Sequence, residues 1–301
     1  MSDRYLVLGN PIAHSRSPYI HEAFARDTGQ NMVYDRQLVE PTQFAKTLDH
    51  LRQDPSFRGC NVTLPFKLEA LAYAEAHGAH ISPRALLAGA VNTLKFEGEK
   101  VWADNTDGVG LVNDVSLRQA VPLQNARVIL LGAGGASRGV ILPLLDAGVG
   151  HIVLANRSID KAQDLHDSVR AHSPSCAEKV AVCSLAEALG YGGQVLINAT
   201  SSAFRQGGAG LGEQLESSMS KSPKPLAHLA LTYDMVYGAE PTQFMLWAQE
   251  KGCAKVSDGL GMLVEQAGES FKLWRQVRPE TQRVYSELRT LLSAHSQAAA
   301  S

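Results

Sequence analysis

The alternation of apolar and polar positions is clearest between residues 127 and 145. Residues 128–131 are apolar and include the β-branched Val128 and Ile129, a glycine cluster follows, and residues 140–145 are apolar again. This order predicts a strand, a tight turn and a helix that begins near Gly135. In such a turn, Gly132 can adopt a backbone angle closed to other residues, and Gly134 lacks the side chain that would hold a pyrophosphate away. The free N–H groups of the helix start would then face phosphates.

The turn has the pattern Gly-x-Gly-x-x-Ser, with Ser137 where a third glycine often stands. Alone, this pattern is also typical of an ordinary glycine-rich turn. However, a second apolar run, residues 151–155, predicts a strand that ends about 20 residues further on, as a dinucleotide-binding fold requires. The sequence therefore predicts a dinucleotide site. Its proposed turn residues are Gly132, Ala133, Gly134, Gly135 and Ala136.

The residues after the second strand indicate which dinucleotide binds. An acidic residue there would bind the ribose 2′-hydroxyl of NAD, but this chain has Asn156, Arg157 and Ser158, then Lys161. Arginine can accommodate a 2′-phosphate and stack on the adenine. NADP(H) is therefore the predicted cofactor. The alternative interpretation of residues 156–161 is that they are simply the solvated start of a helix.

The first third of the chain predicts strands alternating with helices, which is typical of a largely parallel sheet. The predicted strands are residues 5–8, 32–39 and 57–63, and the predicted helices are residues 17–29, 42–52 and 65–76. Ser17 followed by Pro18 predicts a helix start capped by the serine hydroxyl. Residues 91–96 and 101–105 flank a polar turn and predict a hairpin.

The predicted fold class is α/β with two domains. The first is a substrate-binding domain, residues 1–106 together with about 260–301, to which two C-terminal helices, residues 261–275 and 280–294, return. The second is a doubly wound (Rossmann) NADP-binding domain, residues 107–259. Residues 201–225 are rich in Gly, Ser and Pro and predict a surface loop. The six predicted strands of the second domain are residues 127–131, 151–155, 179–183, 194–198, 227–235 and 254–257.

Composition narrows the class of protein. The chain has 301 residues, 45% of them hydrophobic, and a net charge of −2, so no broad basic surface is available for nucleic acid. The sequence shows neither a signal peptide nor a membrane span. Its 4 cysteines form no Cys-x-x-Cys pair and its 10 histidines no zinc motif, so we expect no metal site and a reducing cytoplasm. Whether the chain is a monomer or a homodimer is left open.

Polar residues follow the predicted strands of the first domain and open its helices, where a parallel sheet places its sites. These residues are candidates for holding a small-molecule substrate. They are Ser15, Ser17, Asn61, Thr63, Lys67, Asn92 and Asp107.

Eight short blocks, spread over residues 15–266 in a fixed order, together resemble shikimate dehydrogenase. The block that holds Lys67 and the block that holds Asp107 are the most specific. The resemblance implies NADPH-dependent, reversible reduction of 3-dehydroshikimate to shikimate, in the pathway to aromatic amino acids. The blocks are Ser15-Arg-Ser17-Pro, Asn61-Val-Thr-Leu-Pro-Phe-Lys67, Gly89-Ala-Val-Asn-Thr93, Asp104-Asn-Thr-Asp-Gly108, Gly132-Ala-Gly-Gly-Ala136, Asn198-Ala-Thr-Ser201, Tyr233-Asp-Met-Val-Tyr237 and Asp258-Gly-Leu-Gly-Met-Leu263.

The resemblance also implies roles for individual residues. The substrate carboxylate would be held by the hydroxyls of Ser15, Ser17, Thr63 and Tyr237. The ring hydroxyls would be held by Lys67, Asn92, Asp107 and Gln266, with Lys67 as general acid/base and Asp107 as its partner. The cofactor would contact residues 132–136, residues 156–161, Met235 and Gly259. The family often has arginine where this chain has Lys161, which presents a point charge instead of a fork.

The chemistry of Lys67 is consistent with this role on general grounds. When hydride reaches a ketone carbon, the oxygen needs a proton, and an ammonium group can stabilise the developing alkoxide and deliver that proton. A nearby carboxylate, Asp107, would keep the lysine charged. Each residue also has a structural interpretation. Lys67 could be a surface lysine, Asp107 or Ser17 a helix cap, Tyr237 a loop residue and Gln266 a polar helix position.

Two further hypotheses come from the sequence. The first is a related dehydrogenase that also acts on quinate or uses NAD, since two neighbouring serines suit a substrate carboxylate in either case. The second is a catalytically idle nucleotide-binding relative, which could share the fold. Because cofactor and substrate would bind different domains, we also expect the domains to close on binding.

Overall fold

The structure is a computed structural model that describes residues 2–200, 211–216, 219 and 225–300, with side chains described to residue 294. The chain divides into two compact units. The first contains the residues up to Gly110 and Leu263–Tyr285, and the second contains Leu111–Met262 and the residues from Ser286 onward. The residues from Ser286 onward group with the second unit, whereas residues of about 260–301 were predicted to belong to the first. Within the second unit, Arg289 hydrogen-bonds Gly238 and pairs with Asp258.

The first unit contains a mixed six-stranded sheet in the order β2-β1-β3-β5-β6-β4. β1 pairs in parallel with β2 and β3, whereas β5 is antiparallel to β3. β5 and β6 form the predicted hairpin and are therefore also antiparallel. The strands are β1 (Asp3–Gly9), β2 (Met32–Leu38), β3 (Phe57–Val62), β4 (His80–Ile81), β5 (Thr93–Glu97) and β6 (Lys100–Asp104). The helices are α1 (Ser17–Thr28), α2 (Phe44–Leu51), α3 (Lys67–Ala76), α4 (Pro83–Ala88) and α5 (Asp107–Asn113).

The second unit contains a six-stranded sheet in the order β12-β11-β10-β7-β8-β9, and every pairing in it is parallel. This is the strand order of a doubly wound dinucleotide-binding fold, which confirms the predicted fold class. The strands are β7 (Arg127–Leu131), β8 (His151–Asn156), β9 (Val180–Ser184), β10 (Val195–Asn198), β11 (Leu231–Asp234) and β12 (Val256–Ser257). The helices are α6 (Gly135–Asp146), α7 (Ile159–His172), α8 (Pro174–Ala177), α9 (Leu211–Glu216), α10 (Gln243–Glu250), α11 (Leu260–Arg275) and α12 (Gln282–Ala300), of which α11 and α12 continue into both units.

Each sheet is covered by buried apolar side chains. One cluster of the first unit joins Leu6 and Leu8 of β1 to Phe44 of α2 and Phe66 before α3. In the second unit, Leu131 and Leu196 pack with Phe244 and Trp247 of α10. The predicted loop over residues 201–225 lies mostly outside the described residues, but α9 within it is helical.

The start of α1 differs from its prediction. Ser17 is the first residue of the helix rather than its cap, and its own backbone N–H lies 3.3 Å from Ser15 Oγ. Another Ser-Pro pair, Ser82 and Pro83, has the expected capping geometry. Ser82 Oγ accepts the N–H of Ala85 at 3.2 Å at the start of α4. The prediction that Ser17 caps α1 is therefore wrong, because Ser17 lies inside the first turn.

Candidate active site

The first unit contains a close pair between Lys67 and Asp107. Lys67 Nζ lies 2.6 Å from Asp107 Oδ2, and the two side chains are 27% and 25% exposed. Lys67 opens α3 and Asp107 opens α5, so both project from helix starts. The structure thus joins two groups that are 40 residues apart in the chain and leaves both accessible to a ligand.

Asn92 holds the other oxygen of the carboxylate. Its Nδ2 donates to Asp107 Oδ1 at 2.8 Å, while its Oδ1 accepts the backbone N–H of Thr106 at 3.0 Å. The backbone contact fixes which end of the amide faces Asp107, because an N–H can only donate. Asn92 is 3% exposed, so this orientation is set within the protein.

The turn before α5 holds Asp107 in place. Asn105 Oδ1 accepts the N–H of Asp107 at 3.2 Å, and Asn105 Nδ2 donates to Ala90 O at 3.1 Å. Upstream, Asp104 accepts two hydrogen bonds from the guanidinium of Arg84, at 2.8 and 2.5 Å. The first N–H of α5 is therefore satisfied by Asn105, and the carboxylate oxygens of Asp107 contact Asn92 and Lys67.

Ser15 and Ser17 lie side by side at the start of α1. Their hydroxyls are 3.2 Å apart, and Arg36 anchors the loop through two hydrogen bonds to Ser15 O, at 3.1 and 2.6 Å. Ser17 is 8% exposed, whereas Ser15 is half-buried. Two adjacent hydroxyls held in this way could donate together to a carboxylate.

Thr63 follows β3 and lies against the end of β1. Its N–H donates to Leu8 O at 2.9 Å, and its methyl carbon Cγ2 would be 2.5 Å from a Cβ at position 9. Glycine at position 9 therefore allows Thr63 to approach β1 this closely. Thr63 itself is half-buried.

Gln266 lies on α11 and reaches the same group. Its Oε1 is 3.3 Å from Thr106 Oγ1 and 3.5 Å from Asn92 Nδ2, and its Nε2 donates to Leu263 O at 2.9 Å. Gln266 is 174 residues from Asn92 in the chain, and the structure brings the two together.

Several buried polar residues lie beneath this group. Asn61, already a substrate-holding candidate from the sequence, is the most connected, whereas Ser270 and Thr93 were not predicted. Asn61 Oδ1 accepts from Tyr34 at 2.7 Å, and its Nδ2 reaches Ser270 Oγ at 3.0 Å and Thr93 Oγ1 at 3.1 Å. The signal for Asn61 was an amide at the end of an apolar strand. Ser270 and Thr93 carry no comparable signal, because small hydroxyl residues are common in helices and strands.

His21 also lies beneath the site and is fully buried. Its Nε2 is 3.2 Å from Asn61 Oδ1, which also accepts the Tyr34 hydroxyl. Because an amide oxygen can only accept, Nε2 carries the proton. Nδ1 has no hydrogen-bond partner among the described residues. Burial lowers the pKa of His21 to about 3, against a smaller opposing effect of Asn61, and the imidazole is therefore neutral at ordinary pH.

In the second unit, the glycine turn connects β7 to α6 as predicted. Gly132 has a φ of 103°, in the region that favours glycine, and a Cβ there would lie 3.1 Å from the Thr200 methyl carbon. Gly134 and Gly135 are exposed, and a Cβ at either would meet nothing within 4 Å. Ser137 is buried, and its hydroxyl donates to Gly132 O at 2.7 Å, which closes the turn.

This turn fits a dinucleotide pyrophosphate. α6 has 12 residues, and its first-turn N–H groups have no acceptor within the helix. Those groups lie at residues 135–137, next to the open space at Gly134. Backbone donors and the positive end of a helix dipole are the usual ligands of a phosphate in this fold.

The end of β8 places the predicted 2′-phosphate residues on the surface. Asn156 Nδ2 donates to Ser158 O at 2.8 Å, which shapes the loop before α7. Arg157 and Lys161 are exposed, and neither has an ion-pair partner within the described part of the chain. Two cations left unpaired beside a dinucleotide turn suit an anionic group on the adenosine.

Met235 and Gly259 lie against each other. A Cβ at Gly259 would be 2.3 Å from Met235 O, so only glycine permits this contact, and the N–H of Gly259 donates to Val236 O at 3.1 Å. Arg289 pairs with the adjacent, buried Asp258. Tyr237 follows in the same segment and is 36% exposed. Among the described residues, no group of three metal-ligating side chains is found.

Three family models match the chain. The shikimate dehydrogenase substrate binding domain matches residues 7–94, shikimate / quinate 5-dehydrogenase matches residues 115–206, and the shikimate 5′-dehydrogenase C-terminal domain matches residues 259–289. A shikimate dehydrogenase (NADP(+)) of Aromatoleum aromaticum is 47% identical over 290 residues, which is 96% of this chain and 98% of the relative. The chain belongs to the shikimate dehydrogenase family.

Solved structures agree with this assignment. An Ael1 enzyme from Pseudomonas putida is 39% identical, with a TM-score of 0.81 over 95% of this chain and 98% of the other. Shikimate 5-dehydrogenase from Thermus thermophilus, solved with NADP(H) and shikimate, is 29% identical, with a TM-score of 0.76 over 96% and 99% of the two chains.

The matched segments cover most of the candidate residues. The segment 7–94 contains Ser15, Lys67 and Asn92, and the segment 115–206 contains the glycine turn and Arg157. Gln266 and Gly259 fall in the third segment, 259–289, whereas Asp107, Met235 and Tyr237 lie between the segments.

Proposed function

We propose that this protein is a shikimate dehydrogenase that reversibly reduces 3-dehydroshikimate to shikimate with NADPH. The observation that carries the proposal is the accessible Lys67–Asp107 pair at 2.6 Å, in a chain that aligns with NADP-dependent shikimate dehydrogenases over nearly its whole length. None of the described helices combines the length and the apolar character that a membrane span requires.

Lys67 is proposed as the general acid. NADPH, when bound, supplies the hydride that adds to the ketone carbon. Lys67 stabilises the negative charge that develops on the ketone oxygen and transfers one proton to it, which leaves a neutral amine and a neutral alcohol. Its partial exposure lets the amine regain a proton from solvent. In the oxidation of shikimate, the neutral amine takes the hydroxyl proton.

Asp107 is proposed to aim the Lys67 ammonium group at the ligand. Because Asn92 holds Oδ1 of the Asp107 carboxylate, Oδ2 has one direction in which to accept Lys67. Asp107 and Asn92 would also contact a ring hydroxyl, together with Gln266.

The substrate carboxylate is proposed to lie at Ser15, Ser17, Thr63 and Tyr237. The 3.2 Å spacing of the two serine hydroxyls supports this, because a carboxylate can accept from both. Arg36 is committed to Ser15 O and so holds the loop rather than the ligand.

The cofactor is proposed to bind the second unit through its backbone and its cations. The open turn at residues 132–136 would hold the pyrophosphate, and Met235 and Gly259 would contact the nicotinamide half. Arg157 and Lys161, with Asn156 and Ser158 beside them, would hold the 2′-phosphate that distinguishes NADPH from NADH. The exposure and lack of ion-pair partners of these two cations in the described chain support this assignment.

A direct assay tests the function. Purified protein mixed with shikimate and NADP⁺ should produce NADPH, measured by its near-ultraviolet absorbance, and parallel reactions should contain quinate or NAD⁺. We expect the shikimate and NADP⁺ pair to give the largest kcat/KM. Equal rates with quinate would support a relaxed quinate/shikimate dehydrogenase, equal rates with NAD⁺ would remove the role of Arg157, and no turnover with any pair would indicate an idle nucleotide-binding relative.

Two further expectations from the sequence stay predictions. We propose a cytoplasmic location, supported by four cysteines that are all free in the structure. A monomer and a homodimer both remain compatible with the chain, and sedimentation of the purified protein distinguishes them.

A further inference from the structure

Three hydroxyl groups meet beneath the proposed substrate site. Thr93 of β5, Thr106 before α5 and Ser270 of α11 are all 0% exposed. Thr93 Oγ1 is 2.8 Å from Ser270 Oγ, which is 3.2 Å from Thr106 Oγ1. Three side-chain amides, those of Asn61, Asn92 and Gln266, surround them. Because each hydroxyl has a single proton, the direction of the hydrogen bonds can be worked out.

The amide of Asn92 sets the first constraint. Its Oδ1 already accepts the backbone N–H of Thr106 at 3.0 Å and the Thr93 hydroxyl at 2.8 Å. Its Nδ2 has two protons, and the two nearest acceptors are Asp107 Oδ1 at 2.8 Å and Thr106 Oγ1 at 3.0 Å. Thr106 Oγ1 therefore accepts from Asn92 and keeps its own proton for another partner.

Three acceptors lie within reach of the Thr106 proton. Asn92 Oδ1, at 3.2 Å, already accepts two hydrogen bonds, and Ser270 Oγ, at 3.2 Å, already has a donor in Asn61 Nδ2, so it is satisfied without Thr106 although it could accept a second hydrogen bond. Gln266 Oε1, at 3.3 Å, has no other donor in the described chain except Asn92 Nδ2 at 3.5 Å, whose protons are directed to closer acceptors. Directing the Thr106 proton to Gln266 therefore gives every one of these acceptors a close donor, whereas directing it to Ser270 would leave Gln266 Oε1 without one.

We propose that Thr106 is a positioning residue that fixes the amide orientation of Gln266 for substrate binding. With Oε1 held by Thr106 and one Nε2 proton on Leu263 O, the second Nε2 proton of this partly exposed residue has no partner committed to it and remains for a ligand. Gln266 then offers a donor, which selects a hydroxyl oxygen of the substrate as acceptor. Thr106 acts through Gln266 and does not itself contact the ligand. This inference rests on the substrate-binding role proposed for Gln266.

The test uses two substitutions that separate the hydroxyl from the methyl group. Thr106→Val removes the hydroxyl, and Thr106→Ser keeps it and removes the methyl group. We expect Thr106→Val to raise KM for shikimate roughly 3- to 10-fold, the usual effect of losing one hydrogen bond, with a smaller change in kcat. Thr106→Ser should have a KM close to that of the wild-type protein, and KM for NADP⁺ should stay unchanged in both. Thr106→Ala replaces the valine variant if the latter does not fold.

A double variant shows whether Thr106 acts through Gln266. Gln266→Ala alone should raise KM for shikimate, and adding Thr106→Val should change it no further. Equal increases from Thr106→Val in both backgrounds, or a serine variant as impaired as the valine variant, would overturn the inference while leaving the dehydrogenase function intact. A Gln266→Ala variant with wild-type KM would remove the role of Gln266 and the inference with it. Failure of the proposed function is distinct, because the wild-type protein itself would then not oxidise shikimate.

Discussion

The two proposed binding regions are organised in opposite ways. In the first unit, the polar side chains at the site are tied to one another, and Asn92, Thr106 and Asp107 each have several protein partners. In the second unit, the glycine turn offers backbone groups and open space, and Arg157 has no ion-pair partner among the described residues.

The difference follows from what each region is proposed to bind. A small polyhydroxylated ring is recognised by donors and acceptors in fixed directions, so side chains must be oriented before the ligand arrives. A dinucleotide carries fixed negative charges that backbone N–H groups and flexible cations can bind without such a network. The first region should therefore be sensitive to single polar atoms, and the second to space and charge.

The largest effect should come from Lys67 in the first region. Lys67→Ala should lower kcat roughly 10²- to 10⁴-fold, the usual contribution of a positioned acid, with little change in KM. The matched control is Lys46→Ala, since Lys46 is an exposed lysine on α2. Steady-state kinetics in both directions measure the effect, and near-normal turnover of the Lys67 variant would remove Lys67 from the mechanism.

Space in the second region is tested at Gly134. A Cβ there meets nothing within 4 Å, so Gly134→Ala should leave the thermal midpoint unchanged. It should nevertheless raise KM for NADPH roughly 10- to 100-fold, because the pyrophosphate would lose hydrogen bonds to a charged group. Gly190→Ala is the control, because a Cβ added at Gly190 would also meet open space and this glycine lies outside the turn. A Gly134 variant with normal affinity would show that the turn does not hold the pyrophosphate.

Charge in the second region is tested at Arg157. Arg157→Ala should weaken the binding of NADPH roughly 10-fold or more, because a hydrogen bond to a charged group is lost. The binding of NADH should weaken much less. The control is Arg170→Ala, an exposed arginine at the far end of α7. Binding of both cofactors measured by calorimetry decides the matter, and equal losses for both would mean that Arg157 does not bind the 2′-phosphate.

The smallest effect concerns stability beneath the first region. The pKa of His21 is lowered from 6.5 to about 3 by burial, so below pH 6.5 the unfolded chain binds a proton that the folded chain does not. The free energy of unfolding should therefore fall as pH decreases from about 6.5 toward 3, by at most roughly 1.4 kcal/mol per pH unit from this group, and be unaffected by it above that range.

His21→Phe should remove that part of the pH dependence, while the same substitution at the exposed His151 should not. Urea unfolding of each variant at neutral and mildly acidic pH measures the difference. If His21→Phe retained the full loss of stability on acidification, the proton uptake would belong to other groups.

Much of the architecture could be predicted because it depends on local patterns. The order of apolar runs and glycines predicted β7, α6 and β8 within a residue or so, and the doubly wound class followed from the strand count. β4 and α4 were missed because two and six residues are too few to show a period. The cap at α1 was predicted wrongly because Ser-Pro indicates a helix start without indicating which serine donates or accepts.

The sequence by itself determined which residues are candidates for the chemistry, since Lys67, Asp107 and Asn92 stand in recognisable blocks. Only the tertiary structure decided how they are held. Thr106, Ser270 and His21 contact partners that are 14 to 209 residues away, and the direction of each hydrogen bond depends on how many protons its neighbours have already committed. That count exists only once the strands and helices are packed, because a hydroxyl in an unfolded chain donates to water and orients nothing.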